Sequence, residues 1–303
     1  MSRPAANMLL LLAALIWGSA FVAQSTAMRD LGPLTFTGLR FFIAALVVLP
    51  FAVNEGRRQP AAPLNAGHAL RFTGLGLVFF LAIALQQIGL THTTVTNAGF
   101  LTGVYVVLTP ILGLLAFGER PHAVVWPAAL VTLSGIWLLG GGTLADLNVG
   151  DLLMIVCAFF WALHVCLLGG MASSSGRPLA LSAWQFAVVG IVALVPGLLM
   201  EPVSLPAIVA AGPELIYTSV FSGGLAFTLQ ALGQRWTRSG DAAILLSSEA
   251  LFAAIFGALL LGERVSAAGL VGCLLIFLSI VAVQVVPIIG WSRLRARIRP
   301  RGA

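Results

Sequence analysis

The sequence contains no lysine, and all 16 of its basic residues are arginine. That absence excludes a retinal protein, whose Schiff base needs a lysine amine, and a P-loop ATPase, whose G-x-x-x-x-G-K signature places lysine on the phosphates. Charge of either sign is scarce, at 9% of 303 residues, where soluble domains carry roughly one quarter. Such a chain prefers a non-aqueous solvent. Histidine occurs only at 68, 92, 122 and 164, with no H-x-x-x-H pair, so a zinc site has no support. Cys157, Cys166 and Cys273 all fall within apolar runs, and the spacing of the first two turns them to opposite faces of one helix. Disulfides are not expected, and the thiols read as small apolar fillers. No Ser-His-Asp set or carboxylate pair stands out, so neither a catalytic residue nor a cofactor is expected. "GSAF" and the serines near Glu249 leave an intramembrane enzyme formally open.

What the chain has in abundance is hydrophobic length, with 59% apolar residues. Ten runs of spanning length follow one another, near 8–28, 34–53, 71–90, 97–117, 122–140, 151–170, 180–200, 213–233, 241–261 and 266–288. About 20 residues at 1.5 Å each cross the hydrocarbon, so the expectation is an all-α membrane protein of ten transmembrane helices. The first run resembles a signal peptide but lacks a clear small-residue cleavage site, and nine more spans follow, which favours an anchor. With the amino terminus inside, thirteen arginines fall in cytoplasmic segments, against Arg29 and Arg264 outside and Arg40 in a span. This positive-inside bias puts both termini in the cytoplasm of a bacterial-type inner membrane. The net charge of +6 points to anionic headgroups, against which the tail "WSRLRARIRPRGA" rests, and requires no nucleic acid.

Gly-Glu-Arg appears twice where an apolar run stops, and Glu119 and Glu263 are 144 residues apart. At the same offset Trp17 matches Trp161, Gln86 matches Gln230, Gly89 matches Gly233, Thr93 matches Thr237 and Gly113 matches Gly257. This predicts two five-helix repeats, residues 1–144 and 145–288, with a basic tail over 289–303. Five is odd, so the second repeat enters the membrane from the opposite side and is inverted. Arginine agrees: Arg57 and Arg58 follow the second helix, whereas their counterpart segment 201–212 has no basic residue. The triplet itself reads as punctuation. Gly118 and Gly262 release each helix in a left-handed turn, and each Glu sits near the positive end of the next helix, with a gating role for one of them as the alternative.

The segments "LLAALIWGSAFV", "GLRFFIAAL", "LTPILGLLAFGERP" and "SSEALFAAIFGALLLGERV", in this order on a five-plus-five frame, resemble the EamA-type family of the drug/metabolite transporter superfamily. The resemblance covers nearly the whole chain. It implies a ten-helix carrier with a central cavity, lined by the first four helices of each half, with the fifth helices peripheral. It is also similar to the YddG-type aromatic amino-acid exporters. The halves depart from each other where Tyr105 occupies the place that Glu249 holds.

Inverted repeats put a solute site near the midplane, so buried polar residues are the candidates. Glu249 lies about eight residues into its span, too deep to reach water, and either faces a cavity or bonds a neighbouring helix. Tyr105 shares its position by symmetry. Gln86 and Gln230 are uncharged amides in mid-span that either contact solute or clasp a neighbour. His164 shares a helical face with Trp161, and Trp17 with Phe21; each could hold an aromatic solute or simply pack. Arg40 is expected to snorkel or to pair with an acidic neighbour such as Asp30, with carboxylate binding as the alternative. The substrate-binding set is therefore Trp17, Phe21, Gln86, Tyr105, Trp161, His164, Gln230 and Glu249, and the expected function is a non-enzymatic secondary exporter of a small amphiphilic metabolite. Aromatic or hydrophobic amino acids suit it best. A broad-specificity drug exporter, a lipid-modifying enzyme and a water-filled channel are the alternatives. A tag placed just before residue 151 is expected to face the outside, and labelling of that tag from the cytosolic side alone sinks the inverted arrangement.

Overall fold

The computed structural model describes residues 1–60, 63–93, 98, 101–141, 148–261 and 264–298, and among these the only regular structure is helical. In chain order the helices are α1 (Arg3–Ala27), α2 (Pro33–Arg58), α3 (Ala66–Leu90), α4 (Tyr105–Phe117), α5 (Val125–Leu139), α6 (Val149–Ser175), α7 (Pro178–Met200), the short α8 (Leu205–Ala210), α9 (Gly212–Gln234), α10 (Ser239–Leu246), α11 (Ser248–Leu261) and α12 (Ala267–Ile298). Their starts follow from sequence. Asn65 and Asn148 each open a helix with a reciprocal capping box, to His68 and Asp151. Pro33 and Pro178 stand at the first helical position, where a missing amide hydrogen costs nothing.

Eight stretches among the described residues are long and apolar enough to cross a membrane, where ten were expected. The fourth and fifth runs correspond to shorter apolar helices, Leu101–Phe117 and Val125–Leu139. The fifth starts late because the chain turns through Pro121 and His122, with Val125 N bonding to His122 O at 2.9 Å. At 15 residues it extends about 22 Å, short of the roughly 30 Å of hydrocarbon. The ninth run is also not one regular helix, since it breaks at Ser247. Gly118 ends α4 at φ 66°, the left-handed turn expected, and Glu119 N reaches back to Gly113 O at 2.8 Å. The Glu119 carboxylate, however, caps α10 rather than the next helix, accepting from Ser239 N at 3.2 Å and Ser239 Oγ at 2.6 Å. Glu263 and Gly262 lie outside the described residues.

Packing is dominated by pairs that join an element before residue 145 to one after it: α2 with α7, α3 with α6, α5 with α12 and α1 with α11. Lipid gives helices no hydrophobic reason to associate, so close approach through small residues carries much of the attraction. The antiparallel α2 and α7 cross where a Cβ on Gly38 would stand 2.6 Å from Leu194 Cα, and one on Gly190 would stand 2.7 Å from Phe42 N. Each end of this pair is closed by a carboxylate. Glu55 in α2 accepts from Leu179 N at 3.1 Å and Ala180 N at 3.0 Å, while Glu201 after α7 accepts from Leu34 N at 2.9 Å and Thr35 N at 2.8 Å. A carboxylate at a helix amino terminus satisfies otherwise orphaned donors and meets the positive end of the dipole. Arg177 bridges to Glu55 at 3.3 Å.

Two contacts recur at the 144-residue offset. A Cβ on Gly89 would meet Gly150 O at 3.1 Å and the Met154 methyl at 2.8 Å, and one on Gly233 would meet Ala6 O at 2.9 Å and Leu10 Cδ2 at 3.0 Å. Thr93 Oγ1 donates to Asp151 Oδ1, and Thr237 Oγ1 donates to Asn7 Oδ1 at 2.9 Å. Cys157 and Cys166 are buried, Cys273 is partly so, and all three are free thiols. Because the α2–α7 crossing leaves no room for a side chain, Gly38→Leu is expected to destabilise the fold by about 1–3 kcal/mol or more. Thermal unfolding of the purified variant checks this, and an unchanged transition contradicts the crossing.

Candidate functional site

The ninth run breaks because Ser247 and Ser248 turn their hydroxyls back on the helix, to Ile244 O at 2.7 Å and Leu245 O at 2.6 Å. Such side-chain bonds compete with the helical ladder. The helix resumes at Ser248 and puts Glu249 in its first turn, where the positive dipole end favours a carboxylate. The fourth run behaves alike: the chain turns at Val104, and Tyr105 is the first residue of α4. Tyr105 and Glu249 are 144 residues apart.

Both line one cavity. Ten of its lining residues form five pairs at the 144-residue offset: Trp17 with Trp161, Ile83 with Phe227, Gln86 with Gln230, Thr102 with Leu246, and Tyr105 with Glu249. Gln24, Arg40 and Val165 complete the lining. None of these comes from α5 or α12. The wall is aromatic on one side, with the Phe227 ring 4.5 Å from Trp17 and stacked on Trp161 at 5.9 Å with only 3° between planes. Trp17 Nε1 is occupied by Ser222 O at 3.1 Å. By contrast, no side-chain hydrogen bond joins Gln86, Tyr105, Gln230 or Glu249 to another described residue, and Gln230 Oε1 is buried without a partner. The Gln230 oxygen has lost water without gaining a protein partner, and because this side chain lines the cavity, the cavity contents can satisfy it.

Six of the eight sequence candidates thus meet in one place. The Phe21 side chain lies outside the described residues. His164 does not reach the cavity. It is fully buried, bonds Gln185 at 2.9 Å through Nε2 and stacks on Phe79 at 4.8 Å, so it is a core histidine held by α3 and α7. Shared helical face placed it beside Trp161, but three residues of helix rotate its ring behind the indole, towards α7.

Arg40 is the second correction. It neither snorkels nor pairs with Asp30, being 2% exposed with its guanidinium bonded to Thr218 O at 3.3 Å, Gln24 Oε1 at 2.9 Å and Ser222 Oγ at 2.8 Å. Two of these acceptors, at Thr218 and Ser222, belong to a stretch of α9 wound as a π-helix over Thr218–Ala226, and the third is in α1. Thr218 Oγ1 and Ser219 Oγ bond back to Glu214 O and Leu215 O, at 2.7 and 2.6 Å, at the start of the widened turns. Arg40 and Trp17 then take two of its carbonyls, at Thr218 and Ser222. Segments of this winding concentrate at functional sites. Sequence reading missed Gln24, Thr102 and Phe227. The last two stand at the repeat offset from residues in equivalent spans, a signal that was legible. Gln24 had no such mark, since its counterpart is Leu168.

The EamA-like transporter family matches the chain twice, over residues 4–141 and over 148–284. An uncharacterized transporter of Archaeoglobus fulgidus is 31% identical over 279 residues, covering 92% of this chain and 85% of that one. A probable amino-acid metabolite efflux pump of Escherichia coli K12 is 26% identical over 183 residues, covering 58% and 57%. A solved crystal structure superposes with a TM-score of 0.79 at 19% identity, covering 94% of this chain and 98% of that one, a likeness of fold alone. With both stretches matched by one family and an archaeal transporter related along nearly its whole length, this integral membrane protein belongs to the EamA-like transporter family.

Proposed function

We propose that the protein is a secondary carrier made of two inverted five-helix repeats, 1–144 and 145–288, which exports a small amphiphilic metabolite by alternating access. Aromatic or hydrophobic amino acids are the favoured solutes. The observation that carries this reading is the cavity itself, whose lining is largely five residue pairs at one fixed offset. A site built by equivalent residues of two inverted units lies on their common axis, and rocking one unit against the other exposes it to either face in turn. The family's double match and the recurring contacts at Gly89 and Gly233 support the same arrangement.

The two threonine ties, Thr93 to Asp151 and Thr237 to Asn7, stand at equivalent places of inverted units and hence at opposite ends of the path. Arg3 reinforces the second by its ion pair with Asp241. Releasing one tie while the other holds is the simplest way to open one side only. The arginine distribution supports cytoplasmic termini in an inner membrane, with the 289–303 tail on anionic headgroups. The name of the Escherichia coli relative favours outward movement of amino-acid metabolites. The indole and phenyl faces receive an apolar side chain, while Gln86, Gln230 and Glu249 meet a polar backbone. The size of that aromatic wall also favours a second reading, a broad-specificity drug exporter.

Purified protein in liposomes is expected to show saturable counterflow of L-phenylalanine or L-leucine. Movement of a different solute class alone refutes the amino-acid assignment, and non-saturating flux refutes the carrier. Glu249→Gln is expected to lower that counterflow about tenfold or more without loss of folded protein, the effect of removing a hydrogen-bonding carboxyl group. The core residue should behave in the opposite way. His164→Leu leaves Gln185 unpaired and is expected to cost about 1–3 kcal/mol of stability. Gln230→Leu, which breaks no bond to a described residue, should leave the thermal transition in place while impairing counterflow.

A further inference from the structure

We infer that Arg40 is the anion-recognising residue of the cavity, receiving the carboxylate of the solute so that the substrates are monocarboxylates, and that an amino acid lies with its amine towards Glu249. The inference rests on the carrier reading above and names the substrate class of the same site.

Three of the five guanidinium N–H donors are used, and all three acceptors are neutral: a backbone carbonyl, an amide oxygen and a hydroxyl. Two donors remain. The ion pairs among the described residues are Arg3 with Asp241 and Arg177 with Glu55, and neither involves Arg40. A buried cation without a counter-charge is costly in the membrane interior, by several kcal/mol, and such groups mark solute pathways. The scaffold does not demand this charge. At the repeat offset Arg40 corresponds to Trp184, and its partner Gln24 to Leu168, so the other half is built without either.

Position fits the role as well. Arg40 and Glu249 line the same cavity and carry opposite charge types, and the indoles of Trp17 and Trp161 line it with them. Three fixed bonds and the Phe41 ring, 4.9 Å from the guanidinium carbon, hold the group before a ligand arrives. Preorganisation of that kind lowers the entropic cost of binding, and a planar fork matches a carboxylate in two parallel hydrogen bonds.

The test uses four probes on one frame: L-phenylalanine, 3-phenylpropionate, phenylalaninamide and phenethylamine, with the corresponding leucine set. Binding to the detergent-purified full chain is read from tryptophan fluorescence, and movement from liposome counterflow. Wild type is expected to bind the two carboxylates about tenfold or more tighter than the amide and amine. Arg40→Gln and Arg40→Lys should remove that preference, weakening the carboxylates by roughly 10- to 100-fold while leaving the amide and amine unchanged. Equal loss of all four probes means a structural role and overturns the inference, as does a wild type without preference. Should Arg40→Gln fail to fold, Arg40→Lys decides by the same ratio. Counterflow confined to solutes without a carboxylate overturns this inference and leaves the carrier standing. A folded wild type that moves no solute of any class overturns the carrier reading, and this inference with it.

Discussion

A polar side chain held in hydrocarbon has no water to turn to, and it must find a protein partner or an enclosed polar space. Some polar groups of this molecule meet that demand through a neighbouring helix, and others line a shared space. His164 with Gln185, Glu55 with the start of α7, and Gln234 with Val165 O at 2.8 Å are answered by neighbouring helices and stitch the bundle together. Gln86, Gln230, Tyr105 and Glu249 have no such answer among the described residues, and all four open on one cavity. What marks the cavity set is the convergence of four such side chains on one space, since single unpartnered polar atoms, such as His164 Nδ1 and Gln234 Oε1, also occur between packed helices.

On the repeat reading, likeness and difference between the halves do separate work. Where the two copies agree, as in the glycine contacts at 89 and 233 and the threonine ties at 93 and 237, the same helix contacts are built twice. Where they differ, the cavity is made asymmetric. Glu249 stands opposite Tyr105, and Arg40 with Gln24 opposite Trp184 with Leu168, so the cavity carries an acid and a cation on a frame that otherwise repeats. The π-wound stretch of α9 is a further asymmetry, because its counterpart in α3 is regular helix. Its displaced carbonyls are what hold Trp17 and Arg40 in place.

Much of this was legible beforehand, for a physical reason in each case. Lipid allows few chain geometries, so run length placed the apolar helices, although the fourth and fifth are shorter than a span and the ninth breaks at Ser247, and a repeat offset ties residues that are remote in sequence. Trp17, Gln86, Tyr105, Trp161, Gln230 and Glu249 were found that way. Arg40 was misread because the sequence offered Asp30 and the surface as sinks for its charge, while the actual acceptors are a carbonyl and a hydroxyl of a π-helix that periodicity does not announce.

By itself, then, the sequence determined the solvent, the helical class and the places where polar groups interrupt apolar spans, because hydrophobic length and charge scarcity leave no other solution in a bilayer. Only the tertiary structure decided which of those groups are paired and which are open. Helical periodicity states which residues share a face. It does not state what that face meets, and the difference between His164 against α7 and Gln230 on the cavity is made entirely by the neighbouring helices.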